Sequence, residues 1–141
     1  FQAVDAAFPG SKFILTVRDS DDQWYRSLVR FQTLRLKIRT GADRVPTLDD
    51  LRDDPYRAPG WIWRVHRDFL GIESAEPFPE AEFKAHYNRH NDLVRDYFRH
   101  RPADLLELNL SHPDAMQRLC EFLGKRFTGQ PMPKLNPSAR D

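Results

Sequence analysis

The chain has 141 residues, of which 40% are hydrophobic and 30% charged, and 22 Lys and Arg against 21 Asp and Glu give a net charge of +1. This composition supplies enough apolar material for a core and excludes a disordered chain. The balanced charge excludes a strongly basic nucleic-acid or membrane-surface protein, so we predict no nucleic-acid partner. The single Cys120 excludes an internal disulfide, and no run reaches the ~20 apolar residues that cross a bilayer. We expect a cytoplasmic protein without stable membrane insertion.

Turn signals and apolar periodicity predict the first elements. A helix over the opening residues ends at Pro9-Gly10. Residues 12–17 predict a strand that is apolar on both faces, as a central parallel strand is. A helix over about residues 22–39 follows; Asp21 or Asp22 can cap it, and Gly41 ends it.

The remaining chain predicts more helices and a second strand. In chain order these are a short helix near residues 48–52, helices over 60–70 and 80–100, a strand over 105–110, and a helix over 114–124. This order predicts an α/β layered domain with a parallel sheet. Two strands are too few for a stable sheet. We therefore expect further strands before Phe1, with residues 1–141 forming the later part of one domain.

The segment most informative about function joins the first strand to the first long helix. It runs from Arg18 to Ser27, through acidic and polar residues. An arginine at a strand end supplies planar, charge-assisted donors. The start of a helix supplies free backbone N–H groups and the positive end of the helix dipole. This combination predicts a phosphate-binding site.

Several segments together resemble a known family. Phe8-Pro9-Gly10-Ser11 through Arg18-Asp19, followed by Trp24-Tyr25-Arg26-Ser27, resembles the 3′-phosphate-binding segment of sulfotransferases that use 3′-phosphoadenosine 5′-phosphosulfate (PAPS). The later segments agree in order and spacing: Tyr87-Asn88-Arg89-His90-Asn91, residues 105–110, Leu119-Cys120-Glu121-Phe122-Leu123-Gly124 and Met132-Pro133-Lys134-Leu135-Asn136. The resemblance implies a P-loop-type fold, with a parallel sheet flanked by helices.

The resemblance also implies a reaction and two binding residues. PAPS would be the co-substrate, with no metal, and its sulfuryl group would pass to a hydroxyl or amine of a small-molecule, lipid or carbohydrate acceptor. Arg18 and Ser27 would bind the 3′-phosphate of the nucleotide. Ser27 follows Arg18 by nine residues, one more than is usual in the family, and Ser20 stands where a proline is common. Ser20 and Arg26 are therefore alternatives to Ser27.

Two further parts of such an enzyme are not found in these residues. The six glycines are scattered and form no glycine-rich loop for the 5′-phosphosulfate. No catalytic base is identified from the sequence. We therefore expect either a fragment of an active enzyme, taken from the C-terminal part of its domain, or a degenerate relative.

Other candidate residues lie on the predicted helices. His86 and His90 are spaced i, i+4, which suits a metal pair, but no third ligand is indicated and we predict no metal site. His66 and His90 are candidate acid–base residues. We predict residues 41–80 to be an acceptor-side lid or insert. Its aromatic residues either line an acceptor pocket or pack in an ordinary core; they are Tyr56, Trp61, Trp63, Phe69 and Phe78.

Two other functions remain open from the sequence. A small-molecule kinase of the same fold group also needs a phosphate-binding arginine. A non-catalytic domain that recognises a nucleotide or another protein is an alternative from a different class. Neither the acceptor nor the oligomeric state is predicted by the sequence.

Overall fold

A computed structural model describes residues 1–133 of the chain. The chain divides into two compact units: Phe1–Asp19 together with the chain from Arg89 onward, and Ser20–Asn88. We call them the first and second unit and describe each by itself. That the whole chain is one domain stays a prediction. Of the segment Met132-Pro133-Lys134-Leu135-Asn136 that carries part of the resemblance, the residues from Lys134 onward lie outside the described residues.

The predicted helices and strands are present, with ends that differ by a few residues. In chain order the elements are α1 (Gln2–Ala7), β1 (Phe13–Val17), α2 (Asp21–Thr40), α3 (Leu48–Arg52), α4 (Trp61–Arg64), a π-helical turn (Val65–Phe69), α5 (Glu80–Phe98), a 3-10 turn (Pro102–Asp104), β2 (Leu105–Asn109) and α6 (Ala115–Phe122). The π-helical turn and the 3-10 turn are not predicted by the sequence.

The first unit is built on a parallel pair of strands. β1 and β2 pair in register, from Phe13 opposite Leu105 to Val17 opposite Asn109. Leu15 on β1 is buried with Val94 and Phe98 of α5. The α/β class with a parallel sheet flanked by helices is therefore confirmed, and the register places the carboxyl ends of both strands at one edge.

A buried carboxylate joins α1 to the end of α5. Asp5 accepts a hydrogen bond from Tyr97 Oη at 2.7 Å and two from Arg101, at 2.6 and 3.2 Å. The Arg101 guanidinium, and then the Tyr97 hydroxyl, hold the pKa of Asp5 below its usual value. This charge-assisted contact fixes the first helix of the chain within its unit.

The second unit begins with a capped helix. Ser20 Oγ accepts a hydrogen bond from the backbone N–H of Gln23 at 3.1 Å, as an N-cap residue does. At the other end of α2, Gly41 has a left-handed φ of +79°, a conformation that favours glycine. Gly41 therefore ends the helix as predicted, whereas the cap is Ser20 and not Asp21 or Asp22, which lie within the first turn.

A hydrophobic core holds the second unit together. Leu51, Ile62, Ile72, Phe78 and Phe83 form it, and aromatic residues of α2 and α4 pack against it. α4 continues into the π-helical turn, and the backbone N–H of Leu70 bonds to the carbonyl of Val65. This turn carries His66 into the core, where the side chain is buried.

Candidate functional site

Polar residues meet where β1 and β2 end. Arg18 and Asp19 follow the last residue of β1, and Ser111 and His112 lie just beyond Asn109, the last residue of β2. The strands are parallel and in register, so these residues lie at the same edge of the sheet. We call Arg18, Asp19, Asn109, Ser111 and His112 the strand-end cluster. All five belong to the first unit.

Hydrogen bonds connect the strand-end cluster from one strand to the other. Asn109 Nδ2 donates to Asp19 Oδ1 at 2.7 Å, and His112 Nε2 lies 3.0 Å from the same oxygen. Asn109 Oδ1 accepts from the backbone N–H of Ser111 at 2.9 Å. Arg18 Nη1 donates to Ser111 Oγ at 3.2 Å. Asn109 is buried while the other four residues are exposed, so a fixed amide anchors side chains that solvent and ligands can reach.

The position and composition of this cluster suit an anionic ligand. In open α/β sheets, ligands bind outside the carboxyl ends of the strands. Arg18 provides a permanent positive charge and a planar set of donors, and Ser111 provides a hydroxyl beside it. Asp19 is the one carboxylate of the cluster, and its Oδ1 already contacts both Asn109 and His112.

Among the residues predicted for the 3′-phosphate, Arg18 lies in this cluster and Ser27 does not. Ser27 lies on the second turn of α2, in the second unit. Ser20, the alternative to Ser27, caps α2 with its hydroxyl oxygen, and Arg26 is an exposed residue of the same helix. A joint role of Arg18 and Ser27 stays a prediction.

The first turn of α2 carries its own negative charge. Asp22 bonds to Lys84, which also bonds to Glu80, and Asp21 Oδ2 accepts from Asn88 Nδ2 at 2.8 Å. The Lys84 ammonium lowers the pKa of Asp22. Two carboxylates near a helix N-terminus are favoured by the helix dipole, so this end of α2 already has anions of its own.

Asn109, Ser111 and His112 were not selected as site residues from the sequence. Ser111 and His112 look like loop residues after a short strand, and nothing in their spacing marks them. The signal available was topological, because residues that follow two paired parallel strands must converge. Using this signal requires knowing that β1 and β2 are neighbours in the sheet. The sequence of a single strand does not reveal which other strand pairs with it.

The buried His66 belongs to the second unit. Its ring packs edge-on against Phe78 and Phe83, with centroid distances of 5.5 and 5.0 Å. Burial lowers the pKa of His66 to about 4, although a hydrogen bond with the Pro77 backbone acts in the opposite direction. The imidazole is therefore neutral at physiological pH. In residues 1–133 no group of three or more His, Cys, Asp or Glu could hold a metal ion.

The predicted lid region contains a cavity of about 250 Å³ in the second unit. His66 and Ile72 form its buried part, and Trp63, Arg52 and Arg67 are among its other lining residues. The guanidinium carbons of Arg52 and Arg67 lie 5.4 and 5.0 Å from the Trp63 ring centroid. Arg52 also donates to Asp49 Oδ1 at 2.9 Å, so the two arginines bring positive charge and packing to the same ring.

The aromatic residues of this region differ in their surroundings. Trp63 lines the cavity, whereas Phe78 is buried in the core. Tyr56 and Trp61 pack edge to face with centroids 5.7 Å apart, and Phe69 is 76% exposed. Phe78 therefore packs in an ordinary core, and a role of Trp63 in an acceptor pocket stays a prediction.

Comparison with known proteins identifies the family. The model of the sulfotransferase domain matches residues 1–140. The chain belongs to the sulfotransferase family. This confirms the resemblance seen in the sequence and supports a sulfotransferase over a kinase. No curated protein and no solved structure gives a match. Within the described part of the chain, no helix is long and apolar enough to cross a membrane.

Proposed function

We propose that this chain carries the 3′-phosphate-binding part of a sulfotransferase that uses PAPS as its sulfuryl donor. The sulfuryl group would pass to a hydroxyl or amine of a small acceptor, leaving adenosine 3′,5′-bisphosphate. The observation that carries the proposal is the position of Arg18, which is exposed at the carboxyl edge of a parallel strand pair in a chain matched over residues 1–140 by the sulfotransferase domain.

Binding of the 3′-phosphate would help the reaction by positioning the nucleotide. In sulfuryl transfer the S–O bond to the nucleotide phosphate breaks, a bond from sulfur to the acceptor forms, and the acceptor loses a proton. As in phosphoryl transfer, rate depends on in-line orientation and on stabilising charge at the leaving group. The 3′-phosphate is remote from the sulfur, so its binding energy holds the nucleotide in the reactive pose. Arg18 suits this role because it follows a rigid strand and contacts Ser111.

The test is the affinity of the full chain for adenosine 3′,5′-bisphosphate, measured by calorimetry. Arg18→Ala removes a charged contact worth about 1.5–3 kcal/mol, so we expect the dissociation constant to rise by roughly 10- to 150-fold. Arg99→Ala is the matched control. Arg99 is an exposed arginine of the same unit that pairs with Asp96, and we expect this variant to bind like the wild type. Equal affinities of wild type and Arg18→Ala would contradict the proposal.

We further propose that residues 41–80 form the acceptor side of the enzyme, with the Trp63 cavity as the pocket. The support is the cavity itself, which joins the buried, neutral His66 to an aromatic ring and two guanidinium groups. A cavity of about 250 Å³ suits a small phenol. Binding of 4-nitrophenol to the chain is measured by calorimetry. Arg67→Ala should raise the dissociation constant for the phenol severalfold while nucleotide affinity is unchanged, and an unchanged dissociation constant for the phenol would contradict this assignment.

A further inference from the structure

We infer that the acceptor bound in the Trp63 cavity carries a carboxylate, and that Arg67 is the residue that binds this carboxylate. The inference rests on the proposed acceptor side and names the chemical class of its ligand, a small aromatic acid with a hydroxyl or amine. The cavity has a volume of about 250 Å³, and all of its lining residues belong to the second unit. A cavity of this size suits one ring with small substituents.

Arg67 lies in the wall of the cavity and has hydrogen-bond donors to offer. It follows the buried His66 in the π-helical turn and is itself exposed. Its guanidinium carbon lies 5.0 Å from the ring centroid of Trp63, and it makes no hydrogen bond or ion pair within residues 1–133. A guanidinium has five N–H donors in a planar fork and keeps its charge at physiological pH. A carboxylate matches this fork, because its two oxygens accept two parallel N–H bonds.

Arg52 is the other arginine of the cavity wall, and its charge is partly balanced. Its guanidinium carbon lies 5.4 Å from the Trp63 ring centroid, and its Nη1 donates to Asp49 Oδ1 at 2.9 Å. Arg52 therefore adds only part of its positive charge to the cavity. Of these two arginines, Arg67 is the one that forms no ion pair within the described chain.

Two glutamates line the same cavity and would favour a ligand of the opposite charge. Glu73 and Glu76 are exposed, and within the described chain neither carboxylate forms a hydrogen bond or an ion pair. They differ from Arg67 in having no aromatic ring that holds the charged group, as Trp63 holds the guanidinium. A side chain that is already held in place loses less conformational entropy when it binds a ligand. The cavity therefore favours an anion at Arg67 over a cation at the glutamates.

The buried part of the cavity adds no charge of its own. His66 and Ile72 form this part, and the imidazole is neutral at physiological pH because burial lowers its pKa to about 4. The ring of an aromatic acid can contact these two side chains and Trp63, while its carboxylate reaches Arg67 at the exposed rim. Apolar contact and charge recognition are thus combined in one small cavity.

The experiment uses calorimetry and three phenols that differ in charge at the same ring position. These are the anionic 4-hydroxybenzoate, the neutral 4-cresol and the cationic 4-hydroxybenzylamine. We expect the full chain to bind 4-hydroxybenzoate about fivefold more tightly than 4-cresol, which is the effect of one solvent-accessible ion pair. The amine should bind no more tightly than 4-cresol. Added salt should reduce the preference for the anion, because it screens the ion pair.

Variants of two arginines locate the effect. Arg67→Gln should bind 4-hydroxybenzoate and 4-cresol equally, and Arg67→Lys, which keeps the charge without the planar fork, should retain part of the preference. Arg57→Gln is the matched control, because Arg57 is exposed and lies over a different ring, 5.8 Å from the centroid of Trp61. It should keep the full preference. The thermal midpoint of Arg67→Gln should equal that of the wild type, since Arg67 is exposed.

The outcomes separate the inference from the proposal on which it rests. The inference is overturned if the wild type binds 4-hydroxybenzoate no more tightly than 4-cresol, if the amine binds most tightly, or if Arg67→Gln keeps the preference for the anion. Where 4-cresol and 4-nitrophenol bind without any preference for the anion, the acceptor pocket stands and the inference alone fails. If none of these phenols binds, the proposed acceptor side fails as well.

Discussion

The strand-end cluster and the core of the second unit hold their side chains in different ways. At the strand ends, exposed residues are fixed by hydrogen bonds to each other and to one buried amide, Asn109. In the second unit, His66 and the aromatic residues are fixed by packing against Phe78 and Phe83. Side chains that are fixed by hydrogen bonds at the surface remain accessible to a ligand, whereas side chains that are fixed by packing in a core stabilise the fold. We therefore expect changes in the cluster to act mainly on binding and changes in the core to act mainly on stability.

The largest expected effect is the loss of a core ring. Phe83 is fully buried, so Phe83→Ala should lower the free energy of unfolding by about 3–5 kcal/mol. Chemical denaturation, monitored by tryptophan fluorescence, measures the free energy of unfolding. Phe69→Ala is the matched control, because Phe69 is 76% exposed, and it should change stability by less than about 0.5 kcal/mol. Equal losses of stability in Phe83→Ala and Phe69→Ala would contradict the assignment of Phe83 to the core and of Phe69 to the surface.

The next effect is a dependence of stability on pH. His66 has a pKa of about 4 in the folded chain and about 6.5 when unfolded. The unfolded chain therefore binds a proton first as pH falls. The contribution of neutral His66 to the free energy of unfolding is fully present above pH 6.5 and decreases by about 3 kcal/mol as pH falls to 4. His66→Phe should remove this dependence on pH, whereas a change at the exposed His100, His100→Gln, should keep it. Unfolding curves at a series of pH values measure the free energy of unfolding of both variants. The same dependence on pH in His66→Phe as in the wild type would contradict the prediction.

A smaller loss is expected at the buried amide of the strand-end cluster. Asn109→Ala leaves Asp19 and the backbone N–H of Ser111 without the hydrogen bonds they make to Asn109. We expect about 1–3 kcal/mol less stability and weaker binding of adenosine 3′,5′-bisphosphate. Denaturation and calorimetry on the same variant give both numbers. A variant that loses stability but binds like wild type would show that Asn109 supports the fold and not nucleotide binding.

The smallest effect concerns the cap of α2. Ser20→Ala removes the acceptor for the Gln23 N–H and should cost about 1 kcal/mol. Ser20→Asp restores a capping oxygen and should recover most of this loss. Nucleotide affinity should be the same in both variants if Ser20 acts only as a cap. A clear change in nucleotide affinity would indicate that Ser20 binds the nucleotide and does not act only as a cap.

Much of the fold followed from local signals. Gly41 marked the end of a long helix, and the short helix at residues 48–52 was predicted with the bounds of α3. The cap of the long helix was predicted as Asp21 or Asp22 and is Ser20. The π-helical turn that carries His66 was missed, since its hydrogen bonds depend on how the core packs and not on a local motif. At the candidate site, the sequence predicted Arg18 at a strand end, where the structure places it, and its binding role stays a prediction. The contact of Arg18 with Ser111 was not predicted, because the two residues lie 93 residues apart.

That separation along the chain has a consequence for folding kinetics. All of the second unit, Ser20–Asn88, lies between the two strands in the sequence. Pairing β1 with β2 must therefore close a long loop, whereas the helices of the second unit depend on contacts within one continuous segment. We expect refolding to order the second unit first and the strand pair later. Nucleotide binding should then be regained after the fluorescence signal of Trp24, Trp61 and Trp63, which all lie in the second unit, and the contact of Arg18 with Ser111 should form in the final phase.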